Sequence, residues 1–393
     1  MSSSNRRDFL KKTAVGAAST AALAAAGLNP RRTFAQGSSF ERIAYRQFGS
    51  TGFKASEIGF GCMNMRDPEL VHAAIDRGIN FIDTAHSYMQ GVNEEVVGSV
   101  MKTKRDKVFL TTKVKWDKPK QIPKMMETSV KRLQTDHVDL MLLHITNKRS
   151  HVYNEDLMKM FEDAKKKGLC RYIGVSTHSN QAEVIDGVAD SELWDAVLVG
   201  YNAVSPGSVG VAIERARKAG KGIIAMKIIL NPATNPWVEL DDIRKDKSGK
   251  ISKSQALIKW VLDDKYVDTT IPGMTSFEQL DQNCAIMGMP MSFGERRTLQ
   301  RFGEKLKGRY CCGVAGCTGC TDQCPKGVCV NDINRCLMYA NGYGDIDLAH
   351  ENYDNLPSSS KVDMCGDCDT CAVTCVNGLD LTENIRRARE LFV

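Results

Sequence analysis

The sequence predicts an α/β fold: a (β/α)8 TIM barrel over residues 45–290, followed by a small, cysteine-rich helical domain. Three observations carry this. Eight short apolar runs (SEIGFGC, NFIDTA, VFLTTKV, VDLMLLH, RYIGVS, DAVLVGYN, GIIAMK and DTTIPG) alternate with polar segments of helical period. Their span of roughly 250 residues is that of one such barrel. Cysteine usage then changes abruptly: three cysteines precede residue 300, and the other eleven of fourteen fall between Cys311 and Cys375. A doubly wound sheet would share the alternation, but no G-x-G-x-x-G follows the first run. Among the helical segments, PKMMETSVKRLQ and NEDLMKMFEDAKKKG repeat apolar residues at three- and four-residue spacing.

Ahead of the barrel, SSNRRDFLKK pairs Arg6 with Arg7, and the apolar, alanine-rich TAVGAASTAALAAAGL follows. A basic head, a short apolar middle and small residues near Thr33 to Ala35 predict a cleaved signal over residues 1–35, with a linker over 36–44. The run is too short and too alanine-rich for a stable membrane span. The arrangement resembles a twin-arginine export signal, which implies the twin-arginine translocase as a partner and a periplasmic location. Passengers of that route fold and take up cofactors before export. Elsewhere the composition is ordinary for a globular protein, with 42% hydrophobic and 25% charged residues. The net charge of +6 is spread along the chain, and no nucleic-acid module is present.

In a barrel of this kind, chemistry sits at the carboxyl ends of the strands. Asp83 closes NFID, Lys113 closes VFLTTK and His144 closes VDLMLLH, while Tyr88 lies on the loop after Asp83. Singly, each has a structural explanation: a capping aspartate, a surface lysine, a satisfied histidine, a half-buried tyrosine. Together they mark one site. Trp116, beyond Lys113, and His86 and His178 are expected to line the pocket.

GINFIDTAHSYMQGVNEEVVG, TTKV and DLMLLH are similar to the Asp-and-Tyr, Lys and His segments of the aldo-keto reductase family, and the resemblance spans the barrel. It implies that Asp83, Tyr88, Lys113 and His144 form a catalytic tetrad acting on a small carbonyl or alcohol substrate with NAD(P). A tyrosine ordinarily titrates near pH 10, so the Lys113 cation is expected to lower the Tyr88 phenol. Asp83 would keep the lysine charged, and His144 would orient the carbonyl or assist the proton. Tyr88 is then general acid for reduction and general base for oxidation. Hydride would come from a nicotinamide across the barrel mouth.

The same resemblance implies cofactor contacts at Ser176, Asn202, Lys227 and Asn283. Several positions depart from the family pattern. Leu198 stands where glutamine is frequent, and Met226 with Lys227 where an aromatic commonly stacks on the nicotinamide. In IPGMTSFEQLDQN, Gly273 and Gln279 replace the basic residues that usually grip a 2′-phosphate, so NAD and NADP both stay open. Thr275 and Ser276 offer hydroxyls and the N-terminus of the following helix to a phosphate.

The tail carries CGDCDTCAVTC, from Cys365 to Cys375, with C-x2-C-x2-C-x3-C spacing. That run wraps three thiolates around one iron–sulfur cube and sends the fourth elsewhere. Disulfides between such close neighbours would be strained; they and zinc are the alternatives. Upstream, CCGVAGCTGCTDQCPKG places Cys317, Cys320 and Cys324 in C-x2-C-x3-C, followed by Pro325. Val314 occupies the regular first-ligand position, so Cys312 or Cys311 would replace it. The two runs resemble those of bacterial ferredoxins, except that Val376 and not proline follows Cys375. By that resemblance Cys365, Cys368, Cys371 and Cys324 hold one [4Fe-4S] cube. Cys317, Cys320, Cys375 and Cys312 would hold a second. Cys329 and Cys336 lie outside both patterns and read as small buried hydrophobes. VNDINRCLMYANGYGDIDLAHENYDNL reads as helical, PSSSK as a loop, and LTENIRRARELF as a last amphipathic helix capped by Thr382.

The whole layout resembles a bacterial subgroup of aldo-keto reductases with a C-terminal ferredoxin-like extension, here residues 311–393 after a connecting helix over 291–310. It implies an exported oxidoreductase whose clusters pass single electrons to a partner protein. The alternative is a reductase or binding protein whose cluster only braces the tail.

Overall fold

Period-two alternation inside the apolar runs decides the architecture. The computed structural model describes residues 43–393, apart from 117, 147, 178–179, 230–250, 307–319, 321–322, 343–345, 367, 369–370 and 376–377. The segment read as an export signal, with Arg6 and Arg7, and the residues His178, Cys311, Cys312 and Cys317 lie outside the described residues.

Strands β1 (Tyr45–Gln47) and β2 (Lys54–Ser56) form an antiparallel hairpin, with Tyr45 opposite Ser56. Eight parallel strands follow: β3 (Phe60–Gly61), β4 (Phe81–Asp83), β5 (Phe109–Lys115), β6 (Val138–His144), β7 (Cys170–Thr177), β8 (Ala196–Gly200), β9 (Gly222–Met226) and β10 (Thr269–Thr270). They pair in chain order, and bridges from Ile58 to Thr270 and from Gly61 to Gly273 close the first strand onto the last. Each of the eight apolar runs thus contains one barrel strand. The two at the seam are the shortest, and Gly61 there packs directly on the facing backbone. A Cβ there would lie 2.7 Å from the Ile271 carbonyl oxygen.

Inward-facing Phe81, Phe109, Leu140, Leu142, Leu198 and Ile224 form the barrel interior. The residues between them, including Ile82, Leu110, Met141, Leu143, Val197 and Ile223, pack outward on the helices. Phe48, from the hairpin turn, plugs one end of the interior, its ring 5.4 Å from Phe81 and 5.2 Å from Phe109. Gly222 makes room for it, since a Cβ would approach the Phe48 ring to 2.5 Å.

The helices around the barrel are α1 (Pro68–Asp76), α2 (Val92–Lys104), α3 (Ile122–Arg132), α4 (Arg149–Val152), α5 (Glu155–Lys166), α6 (Gln181–Asp190), α7 (Gly207–Lys218), α8 (Lys253–Leu262) and α9 (Phe277–Cys284). Their starts obey local chemistry: Asn154 caps α5 by accepting the Leu157 amide at 3.0 Å. Helix α10 (Phe293–Leu306) is tied to α8 by a buried ion pair, Lys259 to Glu295 at 2.7 Å.

The tail consists of α11 (Val330–Leu337), a wide turn at Met338–Gly342, α12 (Ile346–Asp354) and α13 (Leu381–Phe392). PSSSK contains one short 3-10 turn, Ser358–Ser360. The cap of α13 is Asp380, not Thr382: its carboxylate accepts the Glu383 amide at 3.1 Å. Helical backbone begins at Leu381, so Thr382 already sits in the first turn. Its hydroxyl instead accepts the Cys371 amide at 3.3 Å. Residues 42–393 make one compact unit. Val328, Ile333, Leu337, Val362, Leu381 and Ile385 form the tail's own core. A second apolar cluster joins Met338, Tyr339 and Ala349 of the tail to Leu257, Leu299 and Phe302. No described helix is long and apolar enough to cross a membrane.

Candidate active site

Two-residue steps along neighbouring strands carry the inward face up to a polar layer. Above Phe81 comes Asp83, above Phe109 and Thr111 comes Lys113, and above Leu140 and Leu142 comes His144. Parallel register sets Asp83 beside Thr111, Lys113 beside Leu142, and His144 beside Lys115. Ser176 ends the same inward series on β7, two residues beyond Gly174.

Lys113 is the hub. Its Nζ donates to Asp83 Oδ2 at 2.7 Å, to the Thr84 carbonyl at 2.6 Å and to the Tyr88 hydroxyl at 3.3 Å. The same ammonium lies 4.8 Å from the Tyr88 ring centre. The Tyr88 and His144 rings meet edge-on, with centres 6.1 Å apart. Asp83 Oδ1 is buried with no hydrogen-bond partner among the described residues. After Tyr88 the chain turns left-handed at Met89 (φ 48°) and Gln90 (φ 56°), a conformation costing non-glycine residues about 1–3 kcal/mol each. Asn93, which the sequence reading did not single out, anchors this corner. It accepts from Thr84 Oγ1 at 2.6 Å and donates to the Cys62 and Met65 carbonyls at 2.7 and 3.0 Å.

Burial and charge compete at each group. For Lys113, burial pulls the pKa down, but Asp83 and Tyr88 push it further up, so it stays an ammonium. Burial raises Asp83 against the pull of Lys113. The sequence led us to expect Lys113 to lower the Tyr88 phenol. Lys113 does act in that direction, but burial outweighs it and the net shift is upward. His144 falls well below the ordinary histidine range, first through burial, then through the charges of Lys113, Lys115, Lys227 and Arg335. It is therefore a neutral imidazole near pH 7.

The expected cofactor contacts occupy the same rim. Ser176 Oγ accepts the Ile145 amide at 3.0 Å. Asn202, after β8, donates to the Lys227 carbonyl at 3.0 Å, and Lys227 takes a left-handed φ of 55° just beyond β9. Leu198 lies wholly inside the apolar interior, beneath this layer. Ser276 caps α9 by accepting the Gln279 amide at 3.2 Å, while Gln279 accepts the Thr275 amide at 2.8 Å. The two hydroxyls and Gln279 thus surround a helix N-terminus, with Asn283 buried further along α9. At Gly273 a Cβ would meet nothing within 4 Å.

Trp116 packs on His151 with ring centres 4.2 Å apart and donates to the Ile145 carbonyl at 3.0 Å. His86 turns to the outer helices, its Nδ1 lying 3.0 Å from Ser129 Oγ and 3.4 Å from Arg132. Sequence reading missed two residues of the tail. Arg335 and Tyr339, on and just after α11, bring a guanidinium and a buried phenol close enough to act electrostatically on Tyr88. Nothing in the local sequence signals this, because only the packing of α11 brings them there.

In the tail, Gln323 and Thr374 exchange hydrogen bonds of 3.0, 3.2 and 3.3 Å, which lash the two cysteine runs together. The Cys365 thiol is raised by burial and then by Cys324, Cys368 and Cys371. Those three are the cysteines that the ferredoxin resemblance groups with it. The described cysteines are all free thiols. Among the described residues no three His, Cys, Asp or Glu side chains converge on a single-ion site.

Residues 57–302, more than half of the chain, match the Aldo/keto reductase family. The chain is 24% identical over 278 residues to the uncharacterized oxidoreductase YqkF of Bacillus subtilis (strain 168), covering 61% of this chain and 89% of that one. It is 28% identical over 262 residues to methylglyoxal reductase YeaE of Escherichia coli (strain K12), covering 61% and 85%. An aldo-keto reductase of Klebsiella pneumoniae, solved in complex with NADPH, superposes with a TM-score of 0.52 at 25% identity, over 65% of this chain and 94% of that one. Barrel topology and matched sequence agree, and the chain belongs to the aldo/keto reductase family of oxidoreductases.

Proposed function

We propose that the protein is an exported, nicotinamide-dependent oxidoreductase that interconverts a small carbonyl compound and its alcohol. One observation carries the chemistry: buried Lys113 contacts both Asp83, at 2.7 Å, and the Tyr88 hydroxyl, at 3.3 Å. Tyr88 holds its proton at neutral pH and passes it to the substrate oxygen, and Lys113 stabilises the phenolate left behind. Asp83 keeps the lysine in place. Neutral His144 donates a hydrogen bond to the carbonyl and orients it. Nicotinamide, when bound, supplies the hydride in reduction and accepts it in oxidation. The residues present fit such a group: the rim is open at Gly273, Ser176 lies at the end of β7, and Asn202 and Lys227 follow β8 and β9. Thr275, Ser276 and Gln279 suit a nucleotide phosphate at the start of α9, and Asn283 suits the adenine end. NADP(H) is favoured over NAD by the NADPH-bound relative, and a small carbonyl substrate by the methylglyoxal reductase relative.

In the tail, Cys324, Cys365, Cys368 and Cys371 are suited to one [4Fe-4S] cube. Cys317, Cys320, Cys375 and Cys312 are suited to a second. The adjacency of Cys324 to the second run supports the first assignment. A cube, when bound, supplies single electrons, for exchange with a partner protein. Bracing is the competing role, favoured by Cys320 and Cys365 sitting within the tail's apolar core. Arg6, Arg7 and the alanine-rich run fit export to the periplasm after folding.

The test is single-turnover oxidation of bound reduced nicotinamide by a panel of aldehydes and ketones. Tyr88→Phe removes only the hydroxyl, and the rate should fall on the order of 10² to 10⁴. Parent-like rates with every active substrate would end this reading.

A further inference from the structure

Helix α11 does more than fill space in the tail. Just beyond it, Met338 and Tyr339 share an apolar cluster with Met63, after β3, and with Ala203 and Val204, after β8. Those loops leave the carboxyl ends of barrel strands, so the end of α11 lies on the catalytic rim. Arg335 sits one turn before Tyr339. One of its arms reaches Asp332 at 3.1 Å, its side chain keeps 27% exposure, and its Nε is buried without a partner among the described residues. A half-buried guanidinium with an unspent donor is costly unless a ligand repays it.

Beyond its pairing with Asp332, Arg335 joins the cations that surround His144. Lys115, Lys227 and Arg335 all bear on neutral His144, in addition to buried Lys113. A neutral aldehyde makes no use of that field. A planar guanidinium fork matches a carboxylate in two parallel hydrogen bonds, which a lysine cannot reproduce. We propose that Arg335, supplied by the C-terminal extension, is a specificity-determining residue that grips a carboxylate on the substrate, so that oxo acids are preferred over neutral carbonyl compounds. This rests on the catalytic reading above and names its substrate class.

The experiment compares oxo acids of increasing length, from glyoxylate to succinate semialdehyde, each with its methyl ester. The full-length parent, Arg335→Met and Arg335→Lys are measured side by side. In Arg335→Met the ratio of kcat/KM for acid over ester should fall about 10- to 100-fold, the range for a hydrogen bond to a charged group. Arg335→Lys, which keeps the charge and is milder for folding, should recover part of that ratio. Calorimetric binding of oxalate to nucleotide-loaded Tyr88→Phe protein, with and without Arg335→Met, reads the same contact without turnover. An unchanged ratio, or equal losses on acid and ester, overturns the proposal. So does a loss confined to nucleotide affinity, which would assign Arg335 to the cofactor phosphates. If the parent reduces no carbonyl at all, the catalytic reading fails, and oxalate binding alone decides Arg335: weaker binding in Arg335→Met supports the grip, unchanged binding refutes it.

Discussion

Lys113 and Asp83 face each other from adjacent parallel strands at 2.7 Å, with side chains 1% and 3% exposed. A pair this deep is held by mutual need. Each charge has lost its water, and the free oxygen of Asp83 has found no other partner among the described residues. Lys113→Met would leave an unpaired buried carboxylate, which typically costs about 3–5 kcal/mol. We expect that loss in the urea midpoint, together with near-complete loss of carbonyl reduction. Adding Asp83→Leu should restore much of the stability and none of the activity. A double variant as unstable as Lys113→Met would show that the pair is not coupled.

His144 should make the protein sensitive to mild acid. Its folded pKa is depressed, by burial first and then by surrounding cations. The unfolded chain therefore takes up a proton near pH 6.5 while the folded chain resists. Stability from this group is complete above about pH 6.5 and falls by up to about 1.4 kcal/mol per pH unit as the pH drops through the unfolded value towards the folded one. Urea midpoints at pH 7.5 and 5.5 should separate widely for the parent and less for His144→Asn. Equal separations would mean that other groups carry the slope.

The proposed cube makes the tail cysteines unequal, and iron analysis tests it. Cys324 and Cys368 bear on Cys365, whereas Cys329 belongs to neither run. Anaerobically purified protein should be brown, with at least about four irons per chain for one cube. Cys324→Ser and Cys368→Ser should lower the iron content, and Cys329→Ser should leave it intact. Iron-free parent protein with oxidised cysteines would exclude the assignment.

Export is tested separately. Replacing Arg6 and Arg7 by lysine should hold the folded, cofactor-loaded protein in the cytoplasm, as cell fractionation would reveal. Undiminished delivery of that variant to the periplasm would point to another route.

The alternation of NFID, VFLTTK and VDLMLLH was enough to put Asp83, Lys113 and His144 on one inward face at one end of a barrel. Side-chain direction along a strand is a local property with a period of two, and it survives whatever packs outside. The spacing within each cysteine run is likewise a local property, readable before any fold is known. Other features needed the assembled molecule. The hairpin and its Phe48 plug depend on space left at Gly222, which no neighbouring residue announces. The direction of the Tyr88 shift depends on how much water burial removes, and that outweighs the lysine that sequence made conspicuous. Arg335 comes within electrostatic range of His144 only because apolar residues around Tyr339 dock on loops far away in the chain. Packing of that kind is non-directional and long-range, so it leaves no periodic trace in the sequence around Arg335.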